Sequence, residues 1–269
     1  MRRTVRAAHV ALLAGALLLA GCGSSGSDAE AGADATRSAA GADAGPSGEL
    51  MVFAAASLTE AFTELGTRFE QANPSASITF NFGPSSGLAT QITAGAPADV
   101  FAAASVSTLE QVVAVGDAGE PVVFARNRME LAVPADNRAG ITGLSDLERS
   151  DVKVALCQPD VPCGVGASAV FAAAGLTVAP VTLESDVKAV LTKVRLGEVD
   201  AGLVYVTDVL AAGDEVAGIE IPADVNAATD YPIATLSAAE SPDLAAAFVD
   251  FVLSDDGATV LTAAGFERP

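Results

Sequence analysis

Five short segments of this 269-residue chain place hydroxyls or bare helix starts where they could hold an anion. Ser57 stands in AAASLTEAF, Ser85 and Ser86 in FGPSSGLATQI, Cys163 in DVPCGVGA, Val187 in LESDVKAVL and Tyr205 in GLVYVTD. Ser57-Leu58-Thr59-Glu60 fits the capping-box pattern that opens a helix. The first turn of a helix leaves backbone N–H groups unpaired and carries the positive end of the helix dipole, so it can receive an anion. Each residue alone also has a plain structural reading: the serines as N-caps, Tyr205 as a ring packed beside a strand end, Val187 as core. Lys188 is the one basic residue in the five segments, and following Val187 in a helix it is expected to point into solvent. A site of this kind would hold a doubly charged oxyanion through neutral donors, whose bonds to a charge are about twice as strong as neutral ones. It would also reject protonated anions, because it offers no acceptor for their O–H.

Such segments need a scaffold that gathers helix starts at one edge. Apolar runs and periodicity predict strands over residues 50–55, 77–82, 99–103, 130–133, 152–156, 201–206 and 231–236. Helices are predicted over 58–71, 85–94, 108–115, 164–174, 185–195, 242–253 and 258–264, with a helical turn at 144–147 and Ser185 as the N-cap of its helix. Strands alternating with helices imply an α/β fold with a mainly parallel sheet flanked by helices on both faces. In such sheets ligands sit beyond the carboxyl ends of the strands, where the helix starts also point.

The N-terminus reads as targeting sequence. Arg2, Arg3 and Arg6 precede an apolar run over residues 9–20 that is too short to span a bilayer as a lasting helix. It ends in Leu19-Ala20-Gly21-Cys22, which resembles a bacterial lipobox. Cys22 is then the lipidated first residue of the mature chain, and residues 1–21 are a lipoprotein signal peptide. Residues 22–48 are the lipidated cysteine and a Gly/Ala/Ser/Asp tether that cannot bury enough surface to fold, with a reach of roughly 25–30 Å. The folded part, from residue 49 to 269, suits one large domain or two lobes.

The net charge is −20, and loss of the three leader arginines leaves 11 basic against 34 acidic residues, a net −23. This excludes nucleic acid, which needs a basic footprint, and means that an anion site must win locally rather than by net charge. Cys157 and Cys163 remain as an even pair in an exported chain, open to a disulfide or to two buried thiols. Zinc is disfavoured because the single histidine, His9, lies in the leader.

FAAASLTEAF, GLATQITAGAPADVF, VPCG, ESDVKAVL and LVYVTD occur in the order and at the spacing of the molybdate-binding proteins of ABC transporters, and the chain resembles that family over nearly all of residues 49–269. The resemblance implies a two-lobed, type II-like periplasmic binding-protein fold. Lobe 1 would comprise residues 49–128 and 229–269, lobe 2 residues 129–228, with a hinge of two crossing segments near 126–130 and 222–232. It implies molybdate contacts from Ser57 and Ser85 through hydroxyl and backbone N–H, from the backbone N–H of Cys163, where the family usually has alanine, from the backbone N–H of Val187, and from the Tyr205 phenol. Ser86 would support or replace Ser85. The metal would be bound only as the oxyanion, tungstate would bind too, and no cofactor is implied. The implied partners are an ABC permease and a membrane, through lipid on Cys22, with the monomeric protein outside the cytoplasm on the outer face or periplasmic side.

Other readings stay open at this point. The receptor could take sulfate, phosphate or tungstate in preference, or hold metal through carboxylates such as Asp160, Glu184 and Asp186. A serine hydrolase using Ser57 would need a base, yet the mature chain has no histidine, and Lys153, Lys188 and Lys193 sit at no motif for an activated amine. A surface interaction protein without a small ligand would suit the acidic exterior and tether but not the five donor-rich segments.

Overall fold

The computed structural model describes residues 45–269; the expected leader (1–21), Cys22 and the tether through residue 44 lie outside the described residues. Strand and helix then alternate. β1 (Gly48–Ala55) runs through a 3-10 turn (Ala56–Leu58) into α1 (Thr59–Ala72), β2 (Ala76–Gly83) leads to α2 (Ser85–Thr93), and β3 (Val100–Ala102) to α3 (Val106–Ala114). The long β4 (Val122–Pro134) is followed by β5 (Val154–Cys157), α4 (Pro162–Ala174), β6 (Thr182–Glu184), α5 (Val187–Arg195), β7 (Ala201–Tyr205), α6 (Val206–Ala212) and β8 (Val216–Glu220). The chain then returns through β9 (Ala228–Thr235) and closes with α7 (Pro242–Leu253) and α8 (Asp255–Ala263).

Local sequence explains most of these elements. α1 buries Ala61, Phe62, Leu65 and Phe69 on one face, at the three-to-four spacing of an amphipathic helix. α4 starts with Pro162 in its first turn and stops at Gly175, whose φ of 67° is the left-handed cap that glycine adopts without strain.

The sheet order is β2-β1-β3-β9-β4-β7-β5-β6, with β8 paired to β4. β1 is parallel to β2 and β3, and β5 is parallel to β6 and β7. Where β9 and β4 pass between these groups the pairing is antiparallel, so the sheet is mixed at its centre rather than mainly parallel throughout.

β4 begins at Val122, eight residues before the predicted strand. Its first half is interrupted by Arg126 and Arg128, which face outward and pair with Asp230 at 2.6 Å and Glu267 at 2.8 Å. Asp230-Tyr231-Pro232, at the end of the second expected crossing segment, lies inside β9. Pro232 is tolerated because it stands opposite Val123, next to the register shift between Val123 and Ala125 where regular pairing lapses.

Buried apolar side chains divide at these two strands. One cluster draws only on residues between Met129 and Ile221. The others draw on Leu50 to Ala125 together with Tyr231 to Phe266. We refer to the body of the second group as lobe 1 and to that of the first as lobe 2. Among the described residues, no helix is long and apolar enough to cross a membrane.

Candidate functional site

The carboxyl ends of β1, β2, β5, β6 and β7 converge on one small cavity of about 20 Å³. Ser57, Ser85, Cys163, Val187 and Tyr205 all line it, together with Gly83, Pro84, Ala104, Pro162 and Asp186. Space on this scale is little more than that of one water and is too small for a sugar or a peptide. Ser86 does not line it but faces a wider opening on the lobe boundary with Thr90 and Ser105.

Ser57 is 4% exposed and lies inside the 3-10 turn. The capping box expected there is not formed: Ser57 makes no cap bond, and its Oγ lies 2.9 Å from the phenolic oxygen of Tyr231. The 3-10 turn moves the start of α1 to Thr59, which releases Ser57 from capping and Glu60 for another partner. Ser85 is the first residue of α2, after Pro84 as N-cap, and its Oγ accepts the Ala104 N–H at 3.0 Å. Its own O–H proton is therefore free.

Cys163 stands in the first turn of α4, where its N–H has no partner within the helix. It is bonded to Cys157, the last residue of β5, in a disulfide. This clamps the helix start onto the strand end, and Gly164 permits the closeness: a Cβ there would lie 1.8 Å from the Gln158 carbonyl oxygen.

Val187 opens α5. The N-cap is Asp186 and not the expected Ser185, and the Asp186 carboxylate takes the Ala189 N–H at 2.9 Å. The N–H of Val187 thus stays unclaimed by its own helix. Of the carboxylates weighed as metal ligands, only Asp186 lines the cavity, and it is engaged in this cap. Among the described residues no cluster of His, Cys, Asp and Glu could hold a bare metal ion.

Tyr205 is 1% exposed, and its hydroxyl has no hydrogen-bond partner among the described residues. An unpaired buried hydroxyl is costly, so this one points to a ligand in the cavity. Burial, with the Asp208 carboxylate nearby, pushes the Tyr205 pKa well above the ordinary phenol value, which keeps it a donor.

Behind these donors lies an ionic group that local sequence signals do not reveal. Lys188 does not point into solvent: its Nζ reaches Glu60 of lobe 1 at 2.7 and 2.8 Å. It also lies 3.1 Å from Asp208 Oδ1, close enough for an ion pair though not angled as a hydrogen bond. Asp208 is fully buried, and its Oδ2 accepts the Tyr205 N–H at 3.0 Å. Burial pushes the Asp208 carboxyl up to about 6, against the pull of Lys188 and of the Tyr205 N–H. Burial works against the Lys188 charge, but Asp208 and Glu60 outweigh it and raise the Lys188 pKa. Lys188 fails the solvent expectation because two acids, one from each lobe, meet it at the lobe boundary.

The match to known proteins follows this geometry. The family model for bacterial extracellular solute-binding proteins matches residues 50–267. The chain belongs to that family. This solute-binding protein is 40% identical over 261 residues to the molybdate-binding protein ModA of Mycobacterium tuberculosis, covering 96% of this chain and 97% of that protein. Among solved structures, the periplasmic molybdate-binding protein of Azotobacter vinelandii superposes with a TM-score of 0.72 at 19% identity, over 82% of this chain and 99% of that one. The sulfate-binding protein SubI of Mycobacterium tuberculosis gives 0.69 at 15% identity, over 82% of this chain and 86% of that one. The last two share the fold with this solute-binding protein.

Proposed function

We propose that this solute-binding protein captures molybdate, and tungstate as a near-isostere, between its two lobes and delivers it to an ABC permease. The observation that carries this reading is that Ser57, Ser85, Cys163, Val187 and Tyr205, from both lobes, line one small cavity whose wall includes no Lys or Arg. The 40% identity to ModA along almost the whole chain supports the same anion. A desolvated dianion is stable only where several donors replace its water. Contacts from lobe 1 (residues 49–128 and 229–269) and lobe 2 (129–228) make binding favour closure about β4 and β9. No bond is made or broken: Ser57 has a phenol as its partner, not a base.

Isothermal titration with molybdate, tungstate, sulfate and phosphate tests this. Tight binding of the first two and neither of the others is expected. Tight sulfate or phosphate binding would move the substrate while keeping the site. Silence from a folded protein toward all four would overturn the reading. We further propose that lipid on Cys22 holds the protein outside the cytoplasm, a reading supported by the residues 19–22 that precede the tether. Cys22→Ala is expected to release it from the membrane fraction.

A further inference from the structure

The chain contains two tyrosines and no tryptophan, and both tyrosines are at this site. Tyr205 lines the cavity, whereas Tyr231 does not; Tyr231 stands behind Ser57 on β9 and is fully buried. Its ring is held edge-on by Tyr205 at 6.0 Å, Phe266 at 5.3 Å and Phe124 at 6.4 Å between centroids. Its hydroxyl meets Ser57 Oγ at 2.9 Å. Burial, with Tyr205 close by, raises its pKa well above the ordinary value, so it keeps its proton.

One proton decides what Ser57 offers to the cavity. If Ser57 donates to Tyr231, only its lone pairs face the cavity, and they repel an anion. If Tyr231 donates to Ser57, the serine proton is free to bond the anion. A charge-assisted bond is about twice as strong as a neutral one, so a bound oxyanion selects the second arrangement. The other serine supplies the comparison. Ser85 Oγ accepts from the Ala104 backbone N–H, a group that can only donate, so its proton is free by construction. Tyr231 plays for Ser57 the part that Ala104 plays for Ser85.

Resting on the reading of this cavity as an oxyanion site, we infer that Tyr231 is a positioning residue that fixes the Ser57 hydroxyl as a donor to the bound oxyanion. It acts through Ser57 without touching the ligand. Because β9 also joins the lobes, the donor state of Ser57 is tied to the strand about which they move.

The test is a double-mutant cycle on the purified full chain. The anion is whichever of molybdate, tungstate, sulfate and phosphate the wild type binds, so the cycle is independent of which anion that proves to be. Tyr231→Phe keeps the ring and is expected to weaken binding by about tenfold, the loss of one hydrogen bond. In the Ser57→Ala background the same change is expected to cost nothing further. Wild-type affinity in Tyr231→Phe, or a full additional loss in the double variant, would overturn the proposal. A second readout does not depend on the folding of Tyr231→Phe. In Tyr205→Phe the remaining tyrosine is Tyr231, and saturation with the anion is expected to shift its near-ultraviolet band to the red as it becomes a fixed donor. An unmoved band would overturn the proposal as well.

Discussion

On the lobe 1 side the cavity wall presents two serine side chains, Ser57 and Ser85, each set by one hydrogen-bond partner. On the lobe 2 side, Cys163 and Val187 have only backbone N–H groups to offer beside the Tyr205 phenol, set by a disulfide and by the Asp186 cap. The two walls are built against different kinds of failure. A hydroxyl can be deleted by one substitution, while a backbone N–H can only be moved. Lobe 1 therefore holds the part of the site most exposed to mutation, and lobe 2 the part that depends on what anchors its helix starts. Lobe 2 also carries the buried charge, since Asp208 and Lys188 belong to it and Glu60 alone reaches over from lobe 1.

The sharpest way to break this comparison is to delete both hydroxyls. On the proposed function each would bond a charged ligand, a contact worth about 1.5–3 kcal/mol, so Ser57→Ala with Ser85→Ala should weaken molybdate binding about a thousandfold, read by titration. A loss of less than tenfold would show that lobe 1 also relies on its backbone.

Reduction of Cys157–Cys163 probes the other wall. Freeing the α4 start should weaken binding by about tenfold and lower stability by about 2 kcal/mol, the chain-entropy value for so short a loop. Titration and calorimetry with and without reductant would measure both. Unchanged affinity would mean that Pro162 and Gly164 hold the Cys163 N–H unaided.

A smaller effect is expected across the boundary. Lys188→Met removes the contact between the lobes to Glu60 and should speed ligand release about threefold at low salt, measured by stopped flow. The wild-type rate should approach the variant's as salt rises, because the Glu60 side of the pair is exposed to water.

The smallest expected effect concerns Asp208. Its folded pKa of about 6 lies above its ordinary 3.8, so the stability gained by protonating it is fully present below about pH 4 and lost as pH rises through 6. The melting temperature of Asp208→Asn should gain a few degrees on the wild type between pH 4 and 7. A difference that stays flat would mean that Lys188 compensates the carboxylate at every pH.

The five segments that line the cavity were legible in the sequence because each sits where an apolar run hands over to a helix, a signal contained in a few neighbouring residues. Their convergence also follows from local pattern, since parallel strands carry their helix starts to one edge. The contacts that set them were not legible. Ser57 and Tyr231 are 174 residues apart, and Lys188 and Glu60 are 128 apart. Nothing near Tyr231 distinguishes it from a ring in a core, and Glu60 looked like the end of a capping box. The first half of β4 was hidden by its outward arginines, and β6 and β8 by their half-exposed positions, which leave no buried apolar run to read.

β4 and β9 also impose an order in time. Lobe 2 is a single stretch of chain, whereas the sheet of lobe 1 needs β9 beside β3, pairing Val100 with Thr235. A chain emerging N-terminus first must finish all of lobe 2 before lobe 1 can acquire its last strand and the two helices after it. Pairings this distant in sequence are slow to form. The lobe whose serines come first in the sequence is the last to fold.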